Sequence, residues 1–127
     1  MIDHTGVKVS NPSRSREFYS KALAPLGYTV LRELPKEVTG GLVVLSYGIA
    51  PKPDFWVVEG NPTEPLHIAF RAANRKMVDE FYHAAMSAGG KDNGRPGPRL
   101  HYHKDYYGAF VLDPDGHNIE AVCHEPE

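Results

Sequence analysis

The sequence contains a single cysteine, Cys123, so no disulfide can form within the chain, which fits a reducing compartment. No apolar run approaches the roughly 18 residues that a membrane helix needs. The opening Met1-Ile2-Asp3-His4 has neither the basic flank nor the apolar stretch of a secretory leader. Charge of one sign is also missing. Fourteen lysines and arginines face sixteen aspartates and glutamates, scattered without a basic stripe. That excludes the phosphate-neutralising surface that nucleic-acid binding demands. These absences lead us to expect a cytoplasmic chain that engages neither membrane nor nucleic acid. What is present in quantity is histidine, seven in 127 residues. Histidine is the commonest metal ligand and the usual acid/base near neutrality. A chain of this length is one domain's worth and buries a core without staples.

Alternation over Ile2 to Val9 predicts a strand. Asn11-Pro12 reads as a helix cap with proline in the first turn, and Phe18, Ala22 and Leu26 carry a helical period to Gly27. Strands are expected at 28–33, 41–47 and 54–59. The order then recurs. A strand is expected at 65–71, and Asn74 caps a helix with Met77, Val78, Phe81, Ala84, Ala85 and Ala88 on its apolar face. Gly89-Gly90 ends it. Residues 91–104 read as a loop or irregular strand. A hairpin follows: strand 108–112, the tight turn Asp113-Pro114-Asp115-Gly116, and strand 117–124.

The recurrence has a fixed offset. Displaced by 63 positions, His4 falls on His67, Glu17-Phe18-Tyr19 on Glu80-Phe81-Tyr82, Ala22 on Ala85 and Gly27 on Gly90. The chain therefore reads as two βαβββ repeats, about 1–60 and 64–127, in one domain. Side chains alternate across a strand. Thr5, Val7 and Val9 should face the helix in the first repeat, and Leu66, Ile68 and Phe70 in the second. His4 and His67 then point to the other face, each followed two residues later by a small residue, Gly6 or Ala69. In the last strand Ile119, Ala121 and Cys123 take the helix side, and Glu120 shares the face of the histidines. Two histidines and one carboxylate on matched strand positions form a set that holds a first-row metal and leaves coordination positions open.

The opening Ile-Asp-His-Thr-Gly-Val-Lys-Val, Ser15-Arg16-Glu17-Phe18-Tyr19, Leu66-His67-Ile68-Ala69-Phe70 and Asp113-Pro114-Asp115-Gly116-His117-Asn118-Ile119-Glu120 resemble the vicinal oxygen chelate superfamily (glyoxalase, bleomycin resistance, extradiol dioxygenase) over essentially the whole chain. The resemblance implies an α+β fold: two βαβββ modules forming a cupped mixed sheet with helices outside. It also implies one divalent metal ion (Zn, Mn, Fe or Ni) on His4, His67 and Glu120. One departure stands out. Glyoxalase I-like members carry a fourth ligand, a glutamate in the fourth strand of the first module. The repeat offset puts Val57 there and the family pattern puts Trp56 there; neither is a ligand, and Glu59 reaches the position only by a register shift. Classical glyoxalase I chemistry is therefore not expected.

The segment Arg99-Leu100-His101-Tyr102-His103-Lys104-Asp105-Tyr106-Tyr107 precedes the strand leading to Glu120. His103 is the candidate acid/base here. Tyr102, Tyr106 or Tyr107 could orient a substrate oxygen, with Tyr107 the preferred candidate. The expected function is a metal-dependent enzyme, lyase or isomerase, dioxygenase or transferase, with the ion as Lewis acid on a small oxygen-bearing substrate. A resistance or sequestration protein that binds a small molecule without catalysis is the alternative. A homodimer is expected, since closed twofold pairs are the commonest oligomers.

Overall fold

The computed structural model describes residues 1–127. The opening alternation becomes β1 (Thr5–Val9), with Val7 and Val9 buried and Lys8 exposed. Asn11 caps α1 (Pro12–Ala22) by accepting the Arg14 N–H at 3.2 Å. The expected helix over 13–26 stops early because Pro25 has no N–H to give the ladder. Ala24–Leu26 tightens into a single 3₁₀ turn closed by Gly27 at φ 86°. Three strands follow, β2 (Thr29–Glu33), β3 (Val44–Ile49) and β4 (Lys52–Glu59), with a one-turn helix α2 (Lys36–Thr39) after Pro35 that the periodicity did not signal.

The second half repeats the order. β5 (His67–Arg71) leads to α3 (Arg75–Ser87), capped by Asn74 accepting the Met77 N–H at 2.9 Å. The breaker-rich stretch after it is a strand, β6 (Lys91–Pro98), with register shifts around Gly94 where it pairs with β7 (Tyr107–Leu112). β8 (Asn118–Cys123) ends the chain's regular structure. No helix is long and apolar enough to cross a membrane.

The strands form two separate four-stranded sheets, ordered β1-β4-β3-β2 and β5-β8-β7-β6. In each, the first strand runs parallel to the fourth and lies at the sheet edge. Both sheets turn one face to the helices, and the two halves share a single core. Phe18, Tyr19, Phe55, Phe70, Phe81 and Ile119 all belong to it, and the Phe55 and Phe70 rings meet edge-on at 5.1 Å across the two halves. Each fully buried aromatic of this kind contributes about 1.5–3 kcal/mol.

Polar contacts fix how the halves meet. Tyr19 of α1 donates its hydroxyl to Asp113 at 2.5 Å, Ser10 gives its N–H and hydroxyl to Asp115, and His117 Nε2 donates to the Lys8 carbonyl at 2.8 Å. Burial raises the Asp113 carboxyl above the usual aspartate value against the pull of Tyr19 and the His117 and Asp115 amides.

The repeat register pairs Gly27 with Gly90, but the left-handed helix stop in the second half is Gly89, at φ 97°. Gly90 has a different task. A Cβ there would strike the Val111 side chain and sit 2.8 Å from Phe18 and from the Ala85 carbonyl. Gly90→Ala should lower stability by about 1–3 kcal/mol through overpacking, read as a shifted urea midpoint at unchanged slope, whereas Gly40→Ala, with nothing near its missing Cβ, should show only the smaller cost of its positive φ.

Candidate functional site

β5 and β8 are parallel neighbours with Ala69 opposite Glu120 and His67 opposite Asn118. Alternation sends His67, Ala69, Glu120 and Val122 to the face away from the helices. The Glu120 carboxylate is only 2% exposed even so. Its Oε1 lies 2.9 Å from His67 Nε2, and its Oε2 accepts the Tyr106 hydroxyl. Phe110, opposite Glu120 on β7, walls the site, its ring centroid 6.2 Å from that of His67. Gly108 makes room: a Cβ there would lie 3.2 Å from the Tyr106 ring and 3.4 Å from Glu120 Oε2. Burial, then the hydrogen bond to Glu120 and its charge, push the Tyr106 phenol far above the ordinary tyrosine value. It is therefore a proton donor to the carboxylate across the whole working range.

Sequence reasoning prefers Tyr107 over Tyr106, although a signal for the reverse is present. Residues 106, 108 and 110 share a face with Glu120, while 107 belongs to the other. The structure accordingly places Tyr107 on the helix side. Its hydroxyl donates to Asp79 at 2.7 Å, the Arg75 guanidinium sits 4.8 Å over its ring, and burial with Asp79 pushes it up to about 12. The phenol that bonds the Glu120 carboxylate is that of Tyr106, while Tyr107 bonds Asp79.

His103 stands behind Tyr106. Its Nδ1 accepts the Asp105 N–H at 3.1 Å, which leaves the proton on Nε2 to donate to His124 Nδ1 at 3.0 Å. The Tyr106 ring meets both imidazoles edge-on, at 5.4 and 5.3 Å. His103 thus reaches Glu120 only through Tyr106.

The structure does not bring His4 to His67 and Glu120. His4 precedes β1, is exposed, and bonds Asp3 at 2.7 Å, while Asp3 is held in turn by Lys52. Asp3 titrates below the usual aspartate value because of the hydrogen bond from His4 and the bond and charge of Lys52. His4 borders two hollows. One, of about 520 Å³, lies between the halves and also touches His67; the other, of about 470 Å³, lies on the outer face of the first sheet with Leu34, Val44, Trp56 and Val58. Nowhere in the chain do three His, Cys, Asp or Glu side chains converge to hold a metal. The residues present fit a divalent ion in part: one imidazole nitrogen and one buried carboxylate oxygen stand side by side, and a third donor is needed.

The missing fourth carboxylate is settled by register. Gly6 pairs with Trp56 as Ala69 pairs with Glu120, so Trp56 is the counterpart of Glu120, and Val57 faces the core. Glu59 does not replace it, because its Oε1 accepts the Val43 N–H at 2.9 Å.

Tyr106→Phe leaves a buried carboxylate oxygen without its donor and should cost about 1–3 kcal/mol. Combined with Glu120→Gln, the loss should be smaller than the sum of the two single losses, measured as a double-mutant cycle by urea unfolding; strict additivity would show that the two groups do not interact.

The model of the Glyoxalase/Bleomycin resistance protein/Dioxygenase superfamily matches residues 1–121. No functionally curated protein matches the sequence. Among solved structures, a glyoxalase/bleomycin resistance protein from Albidiferax ferrireducens T118 is 24% identical with a TM-score of 0.76, covering 97% of this chain and 98% of that one. Glyoxalase I from Zea mays is 19% identical at TM-score 0.72, over 99% of this chain and 45% of that one, so the chain spans about half of that protein. A point mutant of the fosfomycin resistance protein FosX from Listeria monocytogenes, solved with Mn(II) and 1S,2S-dihydroxypropylphosphonic acid, is 17% identical at TM-score 0.67, over 95% of this chain and 87% of that one. At these identities the structures speak for the fold, and the family match speaks for membership: the chain belongs to the glyoxalase/bleomycin resistance protein/dioxygenase superfamily.

Proposed function

We propose that this protein is a metal-dependent enzyme acting on a small oxygen-bearing substrate, with each site built from His67 and Glu120 of one chain and His4 of a second copy. The observation that carries the reading is the Glu120 carboxylate, almost fully buried on the face away from the helices, with one oxygen on a tyrosine and the other beside an imidazole. Burying a carboxylate is costly without strong partners, and an imidazole and a phenol leave room for a cation. His4 is the third donor of matching chemistry, and it sits in the first half beside an uncovered apolar face of Leu34, Trp56 and Val58. A twofold pair that covers this face with the second sheet of its partner completes two sites at once. The Mn(II) in the fosfomycin resistance relative supports a divalent ion.

The ion, when bound, supplies Lewis acidity that stabilises negative charge on neighbouring substrate oxygens. The chain's own residues do the rest. Tyr106 holds Oε2 of Glu120, so that Oε1 is the oxygen offered beside His67. Phe110 stands beside the imidazole, its ring centroid 6.2 Å away. The His103–His124 pair, joined by the hydrogen bond between His103 Nε2 and His124 Nδ1, braces the Tyr106 ring. Trp56, standing where an opposed carboxylate would be, removes a base on the far side of the site and favours lyase, dioxygenase or transferase chemistry over classical glyoxalase I isomerisation.

Metal analysis of protein purified without chelators should give about one ion per chain, falling well below that in His67→Ala, Glu120→Gln and His4→Ala while the fold survives; full occupancy in these variants removes the assignment. Co-expression of His4→Ala with Glu120→Gln should restore one intact site in each mixed dimer, and no restoration means that the site does not cross between copies. Hemithioacetal isomerisation should stay below the usual enzymatic range of about 1–10³ per second; turnover inside it points to a base that Trp56 does not exclude.

A further inference from the structure

Arg99 is held in an unusual way. Its guanidinium donates to the carbonyls of Gly97 at 2.8 Å, Arg95 at 2.7 Å and Pro98 at 3.4 Å, and no carboxylate lies within ion-pairing distance of it. The guanidinium carbon sits 5.4 Å over the Phe110 ring, whose centroid is 6.2 Å from that of His67. The backbone is shaped for this. A Cβ on Gly94 would lie 3.2 Å from the guanidinium and 2.8 Å from Phe110, and one on Gly97 would lie 3.4 Å from the guanidinium. Gly94 also takes φ 154°, where glycine is favoured. Two glycines, three carbonyls and an aromatic face thus fix a cation on Phe110, the ring that neighbours His67. The side chain has five donors, and three go to these carbonyls.

A surface arginine with no function generally pairs with a carboxylate or moves freely, because its side-chain entropy favours freedom. A guanidinium fixed against neutral carbonyls keeps its charge uncompensated, and its remaining donors suit a planar or tetrahedral oxyanion. We propose that Arg99 is the anion-binding residue of the site, so that the substrate carries a carboxylate, phosphonate or phosphate group that Arg99 holds across Phe110 from His67. The substrate assignment rests on His67 and Glu120 being the reacting centre; the anion site itself does not need a metal.

The test uses the full-length protein treated with EDTA, titrated with methylphosphonate, acetate and neutral 1,2-propanediol while the arginine Nε–H and the Gly94 and Gly97 amide resonances are followed. The wild type should show saturable shifts with an anion and none with the diol, and whichever of phosphonate and acetate binds tighter names the group. Arg99→Gln should weaken binding tenfold or more, Arg99→Lys less, and His67→Ala should bind the anion as the wild type does although it loses metal. Thermal melts of each variant check folding, and Arg99→Lys retains the charge should Arg99→Gln unfold. No saturable anion shift in the wild type, equal affinity in Arg99→Gln, or loss in His67→Ala instead overturns the proposal. Wild-type metal content in Arg99→Gln alongside lost anion binding separates this result from any failure of the metal reading.

Discussion

His117 has both ring nitrogens committed inside the molecule: Nδ1 accepts the Leu66 N–H at 3.0 Å, and Nε2 donates to the Lys8 carbonyl at 2.8 Å. The ring is only 1% exposed, so each bond is made where water cannot replace it. One imidazole thereby ties the edge of β1 to the residue that precedes His67. Its own backbone is fixed by Asp113, whose Oδ1 accepts the N–H groups of Asp115 and His117. The other oxygen of Asp113 takes the Tyr19 hydroxyl from α1. The turn that reads as a simple hairpin connection is thus the place where the first helix, the first strand, the fifth strand and the last strand are held in common register.

That register determines what the last strand presents. Entering β8 from a fixed His117, the chain places Glu120 opposite Ala69 and Phe110, with Gly108 clearing space for Tyr106. A slip of one residue would turn Glu120 into the core and Ile119 or Ala121 out. The carboxylate is buried by its neighbours and not by the core. Nothing apolar would tolerate it there, whereas an imidazole and a phenol do. The site is polar because the second half has polar partners at matched positions, with a buried Glu120 beside a His67 that is open to solvent.

The alternation in β1, β5 and β8 was legible for Val7, Val9, Phe70, Ile119 and Ala121, which are buried, and for His67 and Glu120 on the opposite face; Thr5 and Leu66, expected on the helix side, are exposed, and His4 lies before β1. Helix caps at Asn11 and Asn74 were equally legible from local hydrogen bonding. What it did not reveal depends on pairing between distant segments. β6 contains Gly94, Pro96 and Gly97, which read as breakers, yet pairing with β7 and bulges at those residues keep it in the sheet. The early end of α1 had a local sign, Pro25, outweighed by the four-residue recurrence of apolar residues. Choosing between Tyr106 and Tyr107 required only the parity of the strand extended backwards, but the loop composition around them suggested irregular backbone in which parity carries no weight. The position of His4 relative to His67 lay beyond any pattern, since it depends on how two modules meet through their helix sides.

The two halves share a plan but divide the labour. At matched positions the first half has Gly6 opposite Trp56, and the second has Ala69 opposite Glu120. The first keeps an outer face of Leu34, Trp56 and Val58; the second gathers His67, Glu120, Tyr106 and Arg99. A duplicated module that kept both faces polar would bury two carboxylates against each other if the faces met, and like charges brought together in a low-dielectric space repel strongly. Replacing one of them by an indole removes that repulsion and supplies an apolar wall instead. The asymmetry leaves the polar partners on the outer face of the second sheet and an apolar wall on that of the first.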